Sequence, residues 1–116
     1  MMNIGLDVDD TINYSPRFFT YLTKNKNFMI YIITGRSKNS SKITLDLLKQ
    51  LDINFQLLSM FPINKCEFNK KSELREVISE WKVKQAKELN INVFFDNDEK
   101  TLKKMKEAGI LAFRRL

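Results

Sequence analysis

Short apolar runs alternate along the chain with longer segments in which apolar residues recur every three or four positions. The runs are typical of buried strands, and the longer segments are typical of amphipathic helices. Their alternation predicts parallel strands connected by helices, and therefore an α/β fold. The predicted strands lie near residues 3–8, 28–34, 55–59, 91–95 and 110–113.

The intervals between strands predict helices near residues 15–25, 40–51 and 97–108. In the first helix, Pro16 occupies an early position that proline favours, and Ser15 precedes it as a candidate cap. Gly109 follows the last helix, where glycine favours the left-handed backbone that ends many helices. Residues 60–72 are polar and contain a proline, so we expect a loop there, and the strand at 110–113 is expected at the sheet edge.

The segment after this loop has apolar residues in two stripes that are out of phase. The first stripe contains Leu74, Val77, Ile78 and Trp81, and the second contains Val83, Ala86 and Leu89. A single straight helix with one buried face would keep such residues in one phase. The pattern therefore predicts two helices, with a break between Ser79 and Lys82.

Length and composition indicate one ordinary globular domain. The chain has 116 residues, 43% of them hydrophobic, which supports a core without disulfide bonds. The single cysteine, Cys66, favours a reducing compartment, and we expect a cytoplasmic protein. No apolar stretch approaches the ~20 residues of a membrane span. Acidic side chains cluster at positions 7–10, where a signal peptide would be apolar.

The formal net charge of +6 favours anionic partners. The lysines are spread along the chain rather than gathered in one arm, which indicates a solvated lysine-rich surface more than a dedicated nucleic-acid face. A nucleic-acid-binding protein without enzymatic activity is an alternative on charge alone. That alternative leaves the acidic motifs of the chain unexplained.

Three polar motifs directly follow predicted strands. They are Asp7-Val8-Asp9-Asp10-Thr11, Thr34-Gly35-Arg36 and Asp96-Asn97-Asp98. Open parallel sheets bind ligands outside the carboxyl ends of their strands. Asp7 and Asp9 are two residues apart in extended backbone, so their side chains point the same way and can converge on one phosphate or one metal ion. Each motif alone is also typical of a helix cap or a turn, but chance poorly explains all three at strand ends.

In this order the motifs resemble those of the haloacid dehalogenase superfamily, whose phosphatases carry DxDx[T/V], then Thr or Ser, then Lys, then an acidic motif. The resemblance implies that Asp7 is the nucleophile, Asp9 the general acid/base, Thr34 a phosphoryl-binding hydroxyl and Asp96 a Mg²⁺ ligand. It further implies a single core domain over residues 1–116. The implied fold is a Rossmann-like three-layer sandwich around a mostly parallel five-stranded sheet of order 5-4-1-2-3.

The active-site lysine of the third motif is either Lys82 or Lys84. Lys82 is favoured because it lies near the inward face formed by Ala86 and Leu89, whereas Lys84 shares the face of charged neighbours. Both are alternatively surface lysines. From the same resemblance, Thr11, Gly35 and Arg36 are expected to bind substrate.

The expected metal ligands are Asp7, Asp9 through its backbone carbonyl, Asp96 and Asp98. The fourth motif departs from the family pattern because Asn97 separates its two acids. Asp98 therefore has three readings: it binds metal through water, orients Lys82, or caps the following helix. Asp10 stands where many relatives have Gly, and we expect an exposed surface role for it.

The implied activity is Mg²⁺-dependent hydrolysis of a phosphate monoester through an aspartyl-phosphate intermediate. Predicted elements fill the intervals Thr11–Thr34 and Arg36–Trp81, so we expect no cap domain over the site. Substrates of an open site include small phosphorylated molecules, nucleotides and nucleic-acid ends, since the polynucleotide phosphatases of the superfamily share Thr-Gly-Arg. A homo-oligomer is another source of a lid, and no membrane partner is expected.

Two other classes of protein share part of this pattern. A non-catalytic phosphate- or metal-binding module with the same fold stays an alternative, because the Asp-Asn-Asp motif is irregular. A response-regulator receiver domain also places acids after the first strand. It is excluded because residues 55–60 contain no Asp to accept a phosphoryl group.

Overall fold

The structure is a computed structural model that describes residues 1–115. Its strands form one sheet in the order β3-β2-β1-β4-β5, and every neighbouring pair is parallel. The strands are β1 (Met2–Leu6), β2 (Phe28–Ser37), β3 (Leu57–Phe61), β4 (Val93–Asp96) and β5 (Leu111–Arg114). The expected α/β fold and strand order are therefore confirmed, since 5-4-1-2-3 is the same order counted from the other edge.

Helices cover both faces of this sheet. They are α1 (Pro16–Thr23), α2 (Ser41–Gln50), α3 (Lys71–Glu88) and α4 (Glu99–Glu107). On one face, Phe19 of α1 and Leu48 of α2 pack with Ile4 and Leu6 of β1. On the other face, α3 and α4 bury Ala86, Leu102 and Met105 against Ile33, Phe94 and Ala112. The result is the expected three-layer, Rossmann-like arrangement.

The middle strand β1 shows why its sequence alternates Ile4-Gly5-Leu6. Ile4 and Leu6 point into the core on the α1 side, so Gly5 faces the opposite helical layer. There the ring of Phe94 takes up the space, and a Cβ at Gly5 would lie 2.4 Å from Phe94 Cδ1. A larger residue at position 5 would push β1 and β4 apart, and these are the two strands that carry the acidic motifs.

The prediction of two helices between residues 72 and 90 is wrong. Helix α3 is continuous over 18 residues, and its fully buried positions are Ser79, Lys82 and Ala86. These positions lie three and four residues apart and so form one inward face. Two polar residues on that face, Ser79 and Lys82, interrupt the apolar stripe. The sequence pattern therefore indicated a break in a helix that is continuous.

Other boundaries agree with expectation to within a few residues. Gly109 adopts φ 82° after α4, as predicted for a left-handed cap. The polar loop spans 62–70, because β3 continues to Phe61, and it contains a short 3₁₀ turn at Lys65–Glu67. Strand β5 lies at the sheet edge, as expected. Within residues 1–115, no helix combines the length and the apolar character that crossing a membrane requires.

Candidate active site

The motifs that begin at Asp7 and at Asp96 meet at the carboxyl edge of the sheet because their strands, β1 and β4, are neighbours. Strand β1 pairs with β4 in a register that places Leu6 beside Phe95. The chain continues this pairing for one more residue, since the Asp7 amide donates a 3.0 Å hydrogen bond to the Phe95 carbonyl. Asp7 and Asp96, each the residue after these partners, are thereby brought side by side in the centre of the sheet.

Lys82 of α3 lies between these two carboxylates. Its Nζ is 3.1 Å from Asp7 Oδ1 and 2.8 Å from Asp96 Oδ2. The exposed fractions of the three side chains are only 6% for Lys82, 7% for Asp7 and 0% for Asp96. The choice of Lys82 over Lys84 therefore agrees with the geometry, since Lys84 is exposed on the outer face of the helix.

The charges of this buried cluster do not balance, because one lysine faces two carboxylates. Loss of solvation raises the pKa of Asp7 to about 7, and the charge of Asp96 adds to this rise while Lys82 opposes it. Burial alone would lower the pKa of Lys82, but its two carboxylate neighbours outweigh that effect and raise it. One ammonium thus serves two buried carboxylates, which leaves surplus negative charge when both are ionised. Such a site favours a proton or an additional cation.

The loop after β1 turns sharply around the second and third aspartates. Asp10 adopts φ 55° and ψ 17°, a left-handed conformation that Asp tolerates and Gly adopts freely. Asp10 is exposed, as expected. Thr11, expected to bind substrate, is buried instead, with its Oγ1 3.5 Å from Asp7 Oδ2. In this conformation it contacts the Asp7 carboxylate rather than lining the cavity.

The Thr-Gly-Arg motif occupies the last residues of β2, beside β1. Thr34 is buried, and its hydroxyl accepts a 3.1 Å hydrogen bond from the Arg36 amide. Gly35 lines the cavity and allows α3 to approach closely, because a Cβ there would lie 3.0 Å from Cγ2 of Ile78. A larger residue at this position would require the Ile78 side chain to shift, on the same helix that carries Lys82.

Arg36 is engaged with Asp9 rather than free for a ligand. Its Nε and Nη2 donate to the two carboxylate oxygens of Asp9 at 3.0 and 2.8 Å, and its Nη1 donates to Thr44 Oγ1 at 3.1 Å. These hydrogen bonds lower the pKa of Asp9. A general acid must carry a proton, so Arg36 works against that role while the pair is intact.

Asp98 caps helix α4. Its Oδ2 accepts hydrogen bonds from the Thr101 amide at 3.2 Å and the Thr101 hydroxyl at 2.7 Å, and its Oδ1 pairs with Arg75 at 2.9 Å. Its own amide donates to Asp96 Oδ1 at 3.0 Å. Burial opposes ionisation of Asp98, but the bonds from Thr101 and Arg75 outweigh it and lower the pKa. Of the three readings, helix capping is the one that the geometry shows.

Asp7 and Asp96 are the residues whose carboxylates could serve as side-chain ligands for a metal ion. Among residues 1–115, no group of three or more His, Cys, Asp or Glu is arranged to hold an ion by itself. The carboxylates of Asp9 and Asp98, both expected as ligands, are directed to Arg36 and to helix α4. Mg²⁺ is usually held by one or two carboxylates, with water and phosphate oxygens completing its octahedron. Two carboxylates with surplus negative charge fit that requirement.

The cavity above this cluster has a volume of about 380 Å³. Besides the expected aspartates and Lys82, it is lined by Lys65 of the 62–70 loop and by Arg75 of α3. Neither residue was predicted. Arg75 lies seven residues before Lys82, on the same face of the helix, and Lys65 follows a strand that ends at the same sheet edge. A continuous α3 would have indicated Arg75, and the β3 strand end would have indicated Lys65.

Fold and site together define an α/β protein with a Rossmann-like sheet and a buried carboxylate–lysine cluster at its carboxyl edge. No protein-family model matches the chain, and no curated protein matches it. Among solved structures it is similar to the C-terminal domain of a hydrogenase from Pyrococcus furiosus. The TM-score is 0.62, with 13% identity over 99% of this chain and 91% of that one. At this identity the likeness shows the fold alone.

Proposed function

We propose that the protein is a Mg²⁺-dependent phosphatase of the haloacid dehalogenase type, which hydrolyses phosphate monoesters through an aspartyl-phosphate. The observation that carries the proposal is the buried cluster in which Asp7 and Asp96, from neighbouring central strands, share Lys82. A lysine that only stabilised the fold would not need two buried carboxylates, because burying unbalanced charge costs free energy. Such strain is typical of a site that binds a charged ligand.

In the proposed reaction, an Asp7 carboxylate oxygen attacks phosphorus and displaces the alkoxide. Lys82 offsets the repulsion between this carboxylate and the phosphate dianion. Mg²⁺, held by Asp7, Asp96 and the Asp9 carbonyl, would supply further charge neutralisation. Water then hydrolyses the acyl phosphate and regenerates Asp7. The Thr34 hydroxyl is proposed to bind the transferring phosphoryl group once it turns from the Arg36 amide.

Asp9 is the proposed acid that protonates the leaving alkoxide and the base that later activates water. To donate a proton, its carboxyl must first lose the two hydrogen bonds from Arg36 that lower its pKa. A phosphate group entering the cavity is a competitor for Arg36, because guanidinium pairs equally well with phosphate. The proposed substrates are small phosphorylated molecules, nucleotides or nucleic-acid ends.

The proposal is tested by hydrolysis of an aryl phosphate with Mg²⁺ and with excess chelator. The wild type should turn over only with Mg²⁺, and Asp7→Asn should abolish turnover because an amide is no nucleophile. Asp46→Asn is the matched control, since Asp46 is exposed on α2 away from the cavity. Turnover that persists in Asp7→Asn, or that ignores chelation, contradicts the proposal.

A second candidate is a non-catalytic module of the same fold that binds phosphate or a metal ion. The double hydrogen bond from Arg36 to Asp9 favours it, because it leaves the site without a ready proton donor. Calorimetry separates the two candidates. Binding of Mg²⁺ and inorganic phosphate without any turnover supports the module, whereas multiple turnover of the aryl phosphate removes it.

A further inference from the structure

The cavity is larger than the single phosphoryl group that Asp7 would receive. Its volume of about 380 Å³ falls in the range of roughly 300–1,000 Å³ that holds whole small molecules. The reactive cluster of Asp7, Lys82 and Asp96 lies at its buried end, and Lys65 and Arg75 lie in its wall. A ligand that fills the cavity therefore contacts groups beyond the reactive cluster.

Lys65 forms no salt bridge among residues 1–115, and its side chain is exposed. Its charge nevertheless acts on Asp9 and helps to lower the pKa of that carboxyl. The loop that carries Lys65 is anchored. Phe61 and Phe68 pack with ring centroids 6.5 Å apart, and the Asn64 side chain accepts a 3.0 Å hydrogen bond from the Cys66 amide. The backbone that carries Lys65 is thereby held beside the cavity that this residue lines.

Arg75 is the second cation of this wall. One nitrogen of its guanidinium, Nη2, pairs with Asp98 at 2.9 Å, and the side chain stays 68% exposed. A guanidinium has five N–H donors, and this is the hydrogen bond it makes within residues 1–115. Most of its donors therefore remain available to a ligand.

The cavity also has acidic residues outside the reactive cluster. Asp9 and Asp10 line it, and both are exposed. A phosphate in the cavity beyond the reactive cluster is repelled from these carboxylates and attracted towards Lys65 and Arg75. The distribution of charge thus gives a second anionic group one favourable place.

We propose that Lys65 and Arg75 form a subsite for a second phosphate of the substrate. The substrate is then a phosphomonoester that carries a further phosphate group on the same molecule, rather than a simple sugar phosphate. This inference deepens the proposed function and rests on it, because the first phosphate is taken to bind at Asp7.

Isothermal titration calorimetry tests the subsite in an Asp7→Asn background, so that ligands are not consumed. The probes are adenosine 3′,5′-bisphosphate, adenosine 3′-monophosphate and adenosine 5′-monophosphate, with Mg²⁺ and constant salt. We expect the bisphosphate to bind at least about tenfold more tightly than either monophosphate. A gain of this size is what one additional charge-assisted hydrogen bond typically contributes to affinity. Lys65→Ala should remove most of this preference, and Arg75→Gln should reduce it further. Lys84→Ala removes an equal charge from the exposed face of α3 and is the control.

Equal affinity for bisphosphate and monophosphates overturns the subsite. So does a preference that Lys65→Ala and Lys84→Ala reduce equally, since this would reflect net charge alone. Aryl phosphate turnover by the wild-type protein is measured separately. Turnover without a preference for the bisphosphate would support the proposed phosphatase and contradict the subsite. A preference for the bisphosphate without turnover would support the subsite and contradict the proposed catalysis.

Discussion

Replacing Lys82 by Met tests the central feature of the structure, the sharing of one buried ammonium by two buried carboxylates. Met has a similar length and no charge, so the change deletes the cation with little change in packing volume. Asp7 would then keep the long 3.5 Å contact with Thr11 and a hydrogen bond from the Val8 amide, and Asp96 would keep the amide of Asp98. None of these contacts neutralises a carboxylate.

The expected loss of stability is large. Removing one partner of a buried ion pair typically costs about 3–5 kcal/mol, because the remaining charge is left uncompensated. With a urea m-value of about 2 kcal/mol/M, a loss of about 4 kcal/mol lowers the unfolding midpoint by about 2 M. Lys84→Met is the matched control on the same helix, and its effect should stay within about 0.5 kcal/mol because Lys84 is exposed.

The loss should also depend on pH. In the wild-type protein the pKa of Asp7 is raised from 3.8 to about 7, so its contribution to stability falls as pH rises through that window. Without Lys82 the pKa of Asp7 rises further, which extends the penalty to higher pH. Lys82 itself has a raised pKa, so its own contribution is complete at every pH below about 10.5. The difference between wild type and Lys82→Met should therefore be greatest above about pH 7 and shrink towards about pH 5.

Urea unfolding followed by circular dichroism at about pH 8 and about pH 5.5 measures both effects. The double variant Asp7→Asn/Lys82→Met removes one of the stranded carboxylates, so it should be more stable than Lys82→Met alone. The reasoning is refuted if Lys82→Met and Lys84→Met unfold at the same urea concentration, or if the loss is equal at both pH values. Either result would mean that the carboxylates do not depend on this lysine.

Three further predictions follow from neighbouring residues. Asp7→Asn should raise the free energy of unfolding at about pH 8, where the wild-type carboxyl is ionised at a cost, but not at about pH 4; an unchanged value at both, by urea unfolding, contradicts the raised pKa. Arg36→Gln should shift the high-pH decline of aryl phosphate turnover to higher pH, because Asp9 then retains its proton longer; an unshifted profile separates Asp9 from proton donation. Asp10→Val should lower stability by about 1–2 kcal/mol through its left-handed backbone, whereas Asp10→Gly should not; equal losses in thermal unfolding exclude this cause.

The sheet could be predicted because each strand is a local signal. The runs that become β1, β2 and β4 are apolar and end in polar residues, so sequence alone located both the strands and the acids at their carboxyl ends. Helix α3 could not be predicted in the same way, since its inward face carries Ser79 and Lys82. The helical period of apolar residues is interrupted at Lys82, which supplies the positive charge of the candidate site. Such departures from the local pattern are expected at functional sites.

The pairings within the site depended on three-dimensional contacts that local patterns do not encode. Arg36 and Asp9 are 27 residues apart, and their mutual hydrogen bonds arise only because β1 and β2 are neighbours. Asp98 similarly had three readings in the sequence, and the choice among them required the positions of Thr101 and Arg75. Motif spacing thus predicted part of the cavity lining, including Asp7, Lys82 and Asp96, but neither its other cations nor how the charged groups pair with one another.

That pairing of charged groups is what separates a phosphatase from a binding module here. In the structure, the hydrogen bonds from Arg36 favour the ionised form of Asp9, while Lys82 compensates only one of the two negative charges that Asp7 and Asp96 carry when both are ionised. An arriving phosphate dianion changes both conditions, because it can accept the hydrogen bonds of Arg36 and bring a cation with it. Asp9 would then lose the bonds that lower its pKa and could take up a proton while the ester is in place. The proposed catalysis would therefore require that phosphate displace Asp9 from Arg36, and a site in which Asp9 keeps Arg36 would bind phosphate without cleaving it.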